Sequence, residues 1–267
     1  MNSFALVIGA VMSTGSWTLV MAQGLDPASV TALIRPGDSF DVVKTVITPT
    51  IPPRPDICFL ADTTGSMTAA LTNVRSNATM IMNLVRAVQP DSQFCAAQYR
   101  DTGESPQFQV DQLVTPTIAD VQTAVNTWAA GGGGDPPEGQ LHALTTLVGA
   151  AGYRTDSTRI IVWFGDASGH DPSIGGETLA STIATLVGAN VKVIAIPVSG
   201  GDGLDSTGQA TAITTATSGV LLLGATPEQV TNAIISGLTN LSVEVSMASN
   251  CLATTGGAVT TTFLPAS

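Results

Sequence analysis

Carboxylates and hydroxyls gather in three short segments of the sequence. These are Asp62-Thr63-Thr64-Gly65-Ser66, then Asp135-Pro136-Pro137-Glu138, and finally Gly165-Asp166-Ala167-Ser168. Because none of them contains Cys or His, a soft or borderline metal is disfavoured, and the oxygen ligands suit Mg²⁺, Mn²⁺ or Ca²⁺. A ligand set that mixes neutral hydroxyls with carboxylates leaves the cation short of negative charge. Such a cation still attracts a carboxylate from outside the protein.

A simpler interpretation exists for each segment taken singly. The first segment follows the apolar run Ile57–Leu60, so its hydroxyls could instead cap the next helix by accepting hydrogen bonds from its first amides. Glu138 could simply favour the positive end of its own helix. The occurrence of three such segments, each at the end of a strand or loop, favours a shared metal site.

The elements that must position these segments alternate along the chain. Residues 57–61 form an apolar run, and an apolar stripe with 3,4 spacing from Leu71 to Val88 predicts a helix. Further strands are predicted at residues 93–99, 108–114, 159–164, 191–198 and 220–223, with helices between most of them. The pattern indicates an α/β fold: an open, six-stranded, mostly parallel, Rossmann-like sheet with helices on both faces, plus small flanking β segments. The close succession of the second and third strands predicts an antiparallel edge strand.

Parallel strands bring their carboxyl ends to one edge of the sheet, where ligands bind in open α/β folds. The first segment follows the strand at 57–61, and the third follows the strand at 159–164. The second lies in a glycine-rich loop before a predicted helix. We therefore expect the three segments to converge.

The chain divides into four predicted parts. Residues 1–22 are predicted to be a signal peptide, with an apolar segment at Phe4–Val11 and a small-residue cleavage site at Val20-Met21-Ala22; an uncleaved membrane anchor is the alternative. Residues 23–55 form a β-rich segment and a Pro-rich linker, and residues 56–240 form the α/β domain. Residues 241–267 form a β-rich tail that we expect to pair with residues 39–47. No segment beyond the first is apolar enough to span a membrane.

Composition narrows the possible partners. The 267 residues carry a net charge of −11, which argues against binding nucleic acid or an anionic membrane surface. The signal peptide predicts secretion, and the sequons at Asn77 and Asn240 could then carry glycans. Cys58 and Cys95 are interpreted most simply as small buried residues, with a bridge between them as the alternative; Cys251 completes the three cysteines.

The order of the motifs resembles that of a von Willebrand factor type A (VWA) domain. D-x-T-G-S-M at Asp62–Met67, then Y-R-D, G-G-G-D-x-P-E-G and G-D-A are most similar to the integrin β subunit domain and its microbial relatives, over about residues 55–240. The resemblance implies a sheet order of 3-2-1-4-5-6. It also implies a metal-ion-dependent adhesion site, formed by Asp62, Thr64, Ser66, Glu138 and Asp166.

The same resemblance implies a neighbouring Ca²⁺ site. Its ligands would be Asp101, Asp135, the carbonyl of Pro137, and Glu138, which would bridge both ions. Gly133 stands where the integrin family has an asparagine ligand, so one ligand is missing. The alternative for Asp101 is a surface ion pair with Arg100. A third integrin site is not expected, because Thr68-Ala69-Ala70 replaces its acidic residues.

The function that follows is a secreted adhesion module that is not an enzyme. It would bind an acidic residue of a partner protein through Mg²⁺ or Mn²⁺. One alternative is a structural matrix domain with a vestigial metal site. Another is a Mg²⁺-dependent phosphohydrolase of the haloacid dehalogenase type, but Thr64 stands where that family needs a second aspartate, and no lysine lies near the site.

Overall fold

A computed structural model of the protein describes residues 54–222 and 224–241, together with the backbone of four strands outside these ranges. The chain forms two compact units. One comprises residues 51–242, and the other comprises residues 1–50 with 243–267. The candidate site lies entirely in the first of these.

The smaller unit contains an antiparallel sheet. Its strands are β1 (Ser3–Ile8), β2 (Gly24–Asp26), β3 (Val42–Ile47) and, near the end of the chain, β10 (Phe263–Pro265). The order is β10-β1-β3-β2. The expected pairing of the tail with residues 39–47 is not found for β10, which pairs with β1. Residues 242–262 of the tail lie outside the described residues.

Strand β1 overlaps the apolar segment of the predicted signal peptide. Cleavage after residue 22 would remove this strand from the sheet, and secretion stays a prediction. Among the described residues, no helix is long and apolar enough to cross a membrane.

The larger unit is built on a six-stranded sheet. Its strands are β4 (Pro55–Asp62), β5 (Gln93–Tyr99), β6 (Phe108–Thr115), β7 (Thr158–Gly165), β8 (Val191–Pro197) and β9 (Val220–Leu221). The order is β6-β5-β4-β7-β8-β9, and only β6 runs antiparallel to its neighbour. Both the predicted order and the predicted antiparallel edge strand are confirmed. The central strands β4 and β7 are adjacent, so their carboxyl ends meet.

Helices cover both faces of this sheet. They are α1 (Thr68–Val88), α2 (Ile118–Asn126), α3 (Gln140–Ala150), α4 (Leu179–Gly188), α5 (Gln209–Ala216) and α6 (Val230–Thr239). Ile57, Phe59 and Ala61 of β4 face the core under α1, α2 and α6, while Leu60 faces the core under α3, α4 and α5. Alternation along a strand thus supplies two apolar cores from one run of sequence.

A disulfide joins the neighbouring strands β4 and β5. Cys58 and Cys95 are partners in the parallel register of β4 and β5, with their Cα atoms 4.4 Å apart, and their sulfur atoms are bonded. The simpler interpretation, two separate buried thiols, is therefore wrong. Residues that are directly paired on neighbouring strands point to the same face, and this brings the two sulfurs together.

Candidate metal centre

Backbone hydrogen bonds tie the three polar segments together at the carboxyl edge of the sheet. The amide of Gly131 donates to the carbonyl of Thr63 at 3.1 Å, which joins the glycine-rich loop to the end of β4. The amide of Glu138 donates to the carbonyl of Ser168 at 2.7 Å, and the amide of His170 donates back to the carbonyl of Glu138 at 3.0 Å. Glu138 also forms a short parallel β-bridge with Gly169, which follows the third polar segment, and α3 begins after this bridge, at Gln140.

The hydroxyls of the first segment donate to carboxylates. Thr64 Oγ1 donates to Asp62 Oδ1 at 2.6 Å, and Ser66 Oγ donates to Asp166 Oδ1 at 3.0 Å. The two hydroxyl oxygens lie 3.5 Å apart, which completes a chain from Asp62 to Asp166. Neither the 3₁₀ turn Gly65–Met67 nor α1 has a side-chain hydrogen bond at its N-cap. The capping interpretation of this segment is therefore wrong.

Three buried carboxylates at this centre each keep one oxygen without a hydrogen-bond partner among the described residues. The oxygens are Asp62 Oδ2, Glu138 Oε2 and Asp166 Oδ2, and the three residues are 0%, 3% and 1% exposed. A buried carboxylate oxygen without a partner is costly, and buried polar atoms in proteins are normally satisfied. A bound cation would satisfy these oxygens.

Electrostatics lead to the same conclusion. Burial raises the pKa of Asp62 to about 7, and the charge of Asp166 adds to the effect. Burial also raises the pKa of Glu138 to about 8, with further increases from the charges of Asp62 and Asp101. The pKa of Asp166 is raised, again chiefly by burial. A bound cation would offset both causes, since it compensates lost hydration and screens the like charges.

The residues present fit a hard divalent cation. Among the described residues, no group of three or more His, Cys, Asp or Glu side chains is placed to hold a metal ion. A cation here would therefore draw on the hydroxyls of Thr64 and Ser66 as well as on carboxylates. An all-oxygen set of this kind suits Mg²⁺ or Mn²⁺ and does not suit a metal that prefers nitrogen or sulfur.

The sequence matches a family model described as von Willebrand factor A domain over residues 56–196, more than half of the chain. The chain belongs to this family. VWA domains are common protein-interaction modules. A search of curated proteins found no match.

Solved structures agree on the VWA fold. The SpRpn10 VWA domain superposes with a TM-score of 0.52 at 13% identity, covering 72% of this chain and 98% of that one. Proximal thread matrix protein 1 from the mussel byssus also superposes with a TM-score of 0.52 at 13% identity, covering 72% of this chain and 46% of that one. At this level of identity the likeness concerns the fold alone.

The ligands implied for a second ion are gathered only in part in the VWA domain. Asp101 Oδ1 lies 2.9 Å from His170 Nε2, and its charge acts on Glu138. Asp135 is exposed, and no described hydrogen bond or ion pair links it to Asp101. The second site stays a prediction.

The alternative ion pair between Arg100 and Asp101 is wrong. The guanidinium of Arg100 donates instead to the backbone carbonyls of Thr63, Ser105 and Ala129, at 3.1, 2.9 and 2.7 Å. These carbonyls belong to three different loops. Arg100 therefore holds the first polar segment against its neighbours.

The geometry explains why glycine occupies position 133. Gly133 has a φ of +64°, and a Cβ atom there would lie 2.5 Å from Thr64 Cβ and 3.0 Å from Glu138 Oε1. Its amide donates to Glu104 Oε1 at 2.6 Å. An asparagine at this position would displace the candidate ligands, so the ligand missing from the family pattern cannot be restored by substitution alone.

Two side chains that support the centre were not identified from the sequence. Asp202, in the glycine-rich loop after β8, accepts hydrogen bonds from the amide and the hydroxyl of Ser168, at 2.8 and 2.6 Å. The buried phenol of Tyr99 accepts from Trp163 Nε1 at 3.0 Å, and burial together with the charge of Asp62 raises its pKa well above the usual range. The Gly-Gly-Asp sequence at the end of β8 was a usable signal for Asp202, whereas Tyr99 carried none.

His142 of α3 and the two predicted glycosylation sites have no described hydrogen bond or ion pair with the candidate ligands. His142 Nδ1 lies 2.9 Å from Glu177 Oε1, so its imidazole is occupied by that carboxylate. Asn77 Nδ2 donates to the carbonyl of Asn73 within α1, and Asn240 is exposed at the end of α6. Glycosylation at these two asparagines stays a prediction.

Proposed function

We propose that this VWA domain binds a partner protein through a divalent cation, Mg²⁺ or Mn²⁺, in the manner of the integrin β-like subset. Asp62, Thr64, Ser66, Glu138 and Asp166 would hold the ion. The observation that carries the proposal is the set of three buried carboxylates that have unpaired oxygens and whose charges act on one another. When ionised and without a cation, these carboxylates would destabilise the fold.

Each ligand has a distinct contribution. Asp62 and Asp166 orient the hydroxyls of Thr64 and Ser66, so that the hydroxyl oxygens present lone pairs to the ion. Ser66 is exposed, which leaves the ion accessible from solvent at this side. The bound cation supplies a localised positive charge that attracts an aspartate or glutamate of the partner.

The finer parts of the proposal concern location and further ions. We propose that the protein is secreted, and the disulfide between Cys58 and Cys95 supports this because such bonds persist in oxidising compartments. The proposal also includes a second ion, Ca²⁺, which Asp101, Asp135, the Pro137 carbonyl and Glu138 would hold beside the first. It further includes the absence of enzymatic activity. Turnover of a generic aryl phosphate would contradict the latter.

Isothermal titration of the full chain with Mg²⁺ and with Mn²⁺ at pH 8 tests the proposal. We expect saturable binding that is lost in Asp62→Ala and in Asp166→Ala. Asp120→Ala serves as the matched control, since Asp120 is exposed in the first turn of α2 and should leave binding unchanged. Circular dichroism of each variant confirms folding. Absence of binding, or binding unaffected by Asp62→Ala, would refute the proposal and favour a structural domain with a vestigial site.

A further inference from the structure

The loops around the candidate centre are strongly acidic. Residues 100–107, 127–139, 166–178 and 198–208 contribute carboxylates besides the proposed ligands, and they contain a single Lys or Arg. Apart from Glu177, which pairs with His142, and the two implied Ca²⁺ ligands Asp101 and Asp135, these carboxylates are Glu104, Asp171, Asp202 and Asp205. We call these four side chains the acidic rim.

The basic side chains that reach these loops bind backbone carbonyls. Arg100 directs its guanidinium to three of them, and Arg75 of α1 donates to the carbonyl of Trp128. Within the described residues, no carboxylate of the rim forms an ion pair with a Lys or an Arg. Asp171 and Asp202 are exposed.

Basic residues concentrate at the opposite end of the same domain. Arg54 and Arg154 precede β4 and β7, and Arg159 and Lys192 are the second residues of β7 and β8. Arg86 lies in the last turn of α1 and donates to the carbonyls of Ser92 and Pro116. The domain therefore has an acidic end that carries the centre and a basic end remote from it.

This asymmetry bears on the kind of partner that can approach the centre. A bound cation offsets the charge of its own ligands, but the rim still surrounds it with negative potential. An isolated acidic side chain on a neutral or acidic partner is repelled by the rim before it reaches the ion. Basic groups beside that side chain turn the repulsion into attraction and speed the encounter.

We propose that the partner presents its coordinating aspartate or glutamate within a basic surface, with Lys or Arg side chains on both sides that face the acidic rim. This inference rests on the proposed function and specifies the partner of the same site. The cation would bind the carboxylate, and the acidic rim would favour partners that carry basic side chains around it.

Three synthetic peptides test the inference against the full chain in millimolar Mg²⁺. The first has one glutamate flanked by two lysines on each side, the second replaces the lysines by serines, and the third keeps the lysines and replaces the glutamate by glutamine. Fluorescence anisotropy gives the three dissociation constants. We expect the lysine-flanked glutamate peptide to bind about tenfold more tightly than the serine-flanked one at about 0.05 M salt, and this advantage to shrink at about 0.5 M salt.

Charge reversal on the protein localises the effect. Asp171→Lys changes one exposed position of the rim and should weaken binding of the lysine-flanked peptide about threefold to fivefold. Asp156→Lys makes the same change in net charge at the basic end, where the side chain of Asp156 is 82% exposed. This control should leave the affinity unchanged. Titration with Mg²⁺ shows that each variant retains the cation site.

The outcomes separate this inference from the proposed function. Equal affinity for the lysine-flanked and serine-flanked glutamate peptides, or equal effects of Asp171→Lys and Asp156→Lys, would overturn the inference and leave metal-dependent binding intact. So would failure of every peptide to bind a protein that does bind Mg²⁺. Binding that persists with a chelator and with the glutamine peptide would show plain charge attraction, and would contradict the proposed function instead.

Discussion

Strand β4 has one fully buried aspartate near its start and another at its end, and the two differ in their hydrogen-bond partners. Asp56, at the start, accepts from the backbone amide of Arg154 and from its Nε, both at 2.7 Å. Asp62, at the end, accepts from the amide and the hydroxyl of Thr64 at Oδ1, while Oδ2 has no hydrogen bond shorter than 3.5 Å among the described residues. Both residues are 0% exposed.

The difference separates a structural carboxylate from one suited to a ligand. Arg154 also reaches Asp91, whose pKa is lowered by its hydrogen bond with that guanidinium, so a network closes around the start of the strand. At the other end, burial raises the pKa of Asp62 to about 7 because no basic side chain compensates it. The unpaired end is the one that the proposed function assigns to a cation.

Removing the basic partner at the paired end should have the largest effect. Arg154→Met leaves Asp56 buried without its counter-ion, and we expect a loss of about 3–5 kcal/mol in the free energy of unfolding. Urea denaturation followed by circular dichroism measures it. Arg86→Met is the matched control, because Arg86 donates only to carbonyls and its loss should cost about 1 kcal/mol. Equal losses of stability in the two variants would contradict the role assigned to the ion pair between Asp56 and Arg154.

The same isosteric substitution at the two ends of β4 should change stability in opposite directions. In a chelator at pH 8, Asp56→Asn weakens the bond to Arg154, and we expect a loss of about 1–3 kcal/mol. Asp62→Asn removes a buried, uncompensated charge and should gain about 1–2 kcal/mol under the same conditions. Urea denaturation of both variants and of the unsubstituted protein measures these changes in the free energy of unfolding. A loss of stability in both would mean that Asp62 has a partner that the structure does not show.

Much of the fold could be predicted because strand and helix periods differ. The apolar run of β4 and the 3,4 spacing in α1 are local properties, and the motif order implied the strand order that the structure contains. The disulfide was not predicted as the favoured state. Whether Cys58 and Cys95 meet depends on the register between two strands, and sequence periodicity does not determine register.

The candidate centre was predictable in its ligand types but not in its supports. Asp62, Ser66 and Asp166 follow strands, so topology alone brings them near each other. The role of Arg100 was missed because its partners are backbone carbonyls, which leave no trace in residue identity. Asp202 was missed for a related reason: its partner Ser168 lies on another loop, and a Gly-rich turn offered a sufficient local explanation.

The smallest expected effect is the pH dependence of stabilisation by Mg²⁺, and it tests the unpaired end directly. A carboxyl group whose pKa is raised on folding contributes stability below its unfolded pKa, and that contribution is lost as the pH rises through its folded pKa. For Asp62 and Glu138 the folded values are about 7 and about 8, so the metal-free protein should lose stability between about pH 4 and pH 8. Above that range the carboxylates are charged and free to bind the cation.

We therefore expect Mg²⁺ to raise the Tm by about 2–6 °C over the chelated protein at pH 8.5, and to have almost no effect at pH 5.5, where protons compete for the same oxygens. Differential scanning fluorimetry at both pH values measures the difference. Asp120→Asn should behave as the unsubstituted protein, whereas Asp62→Asn should show no Mg²⁺ effect at either pH. A Mg²⁺ effect of equal size at both pH values would show that the ion binds away from these carboxylates, and the contrast between the two ends of β4 would then concern stability alone.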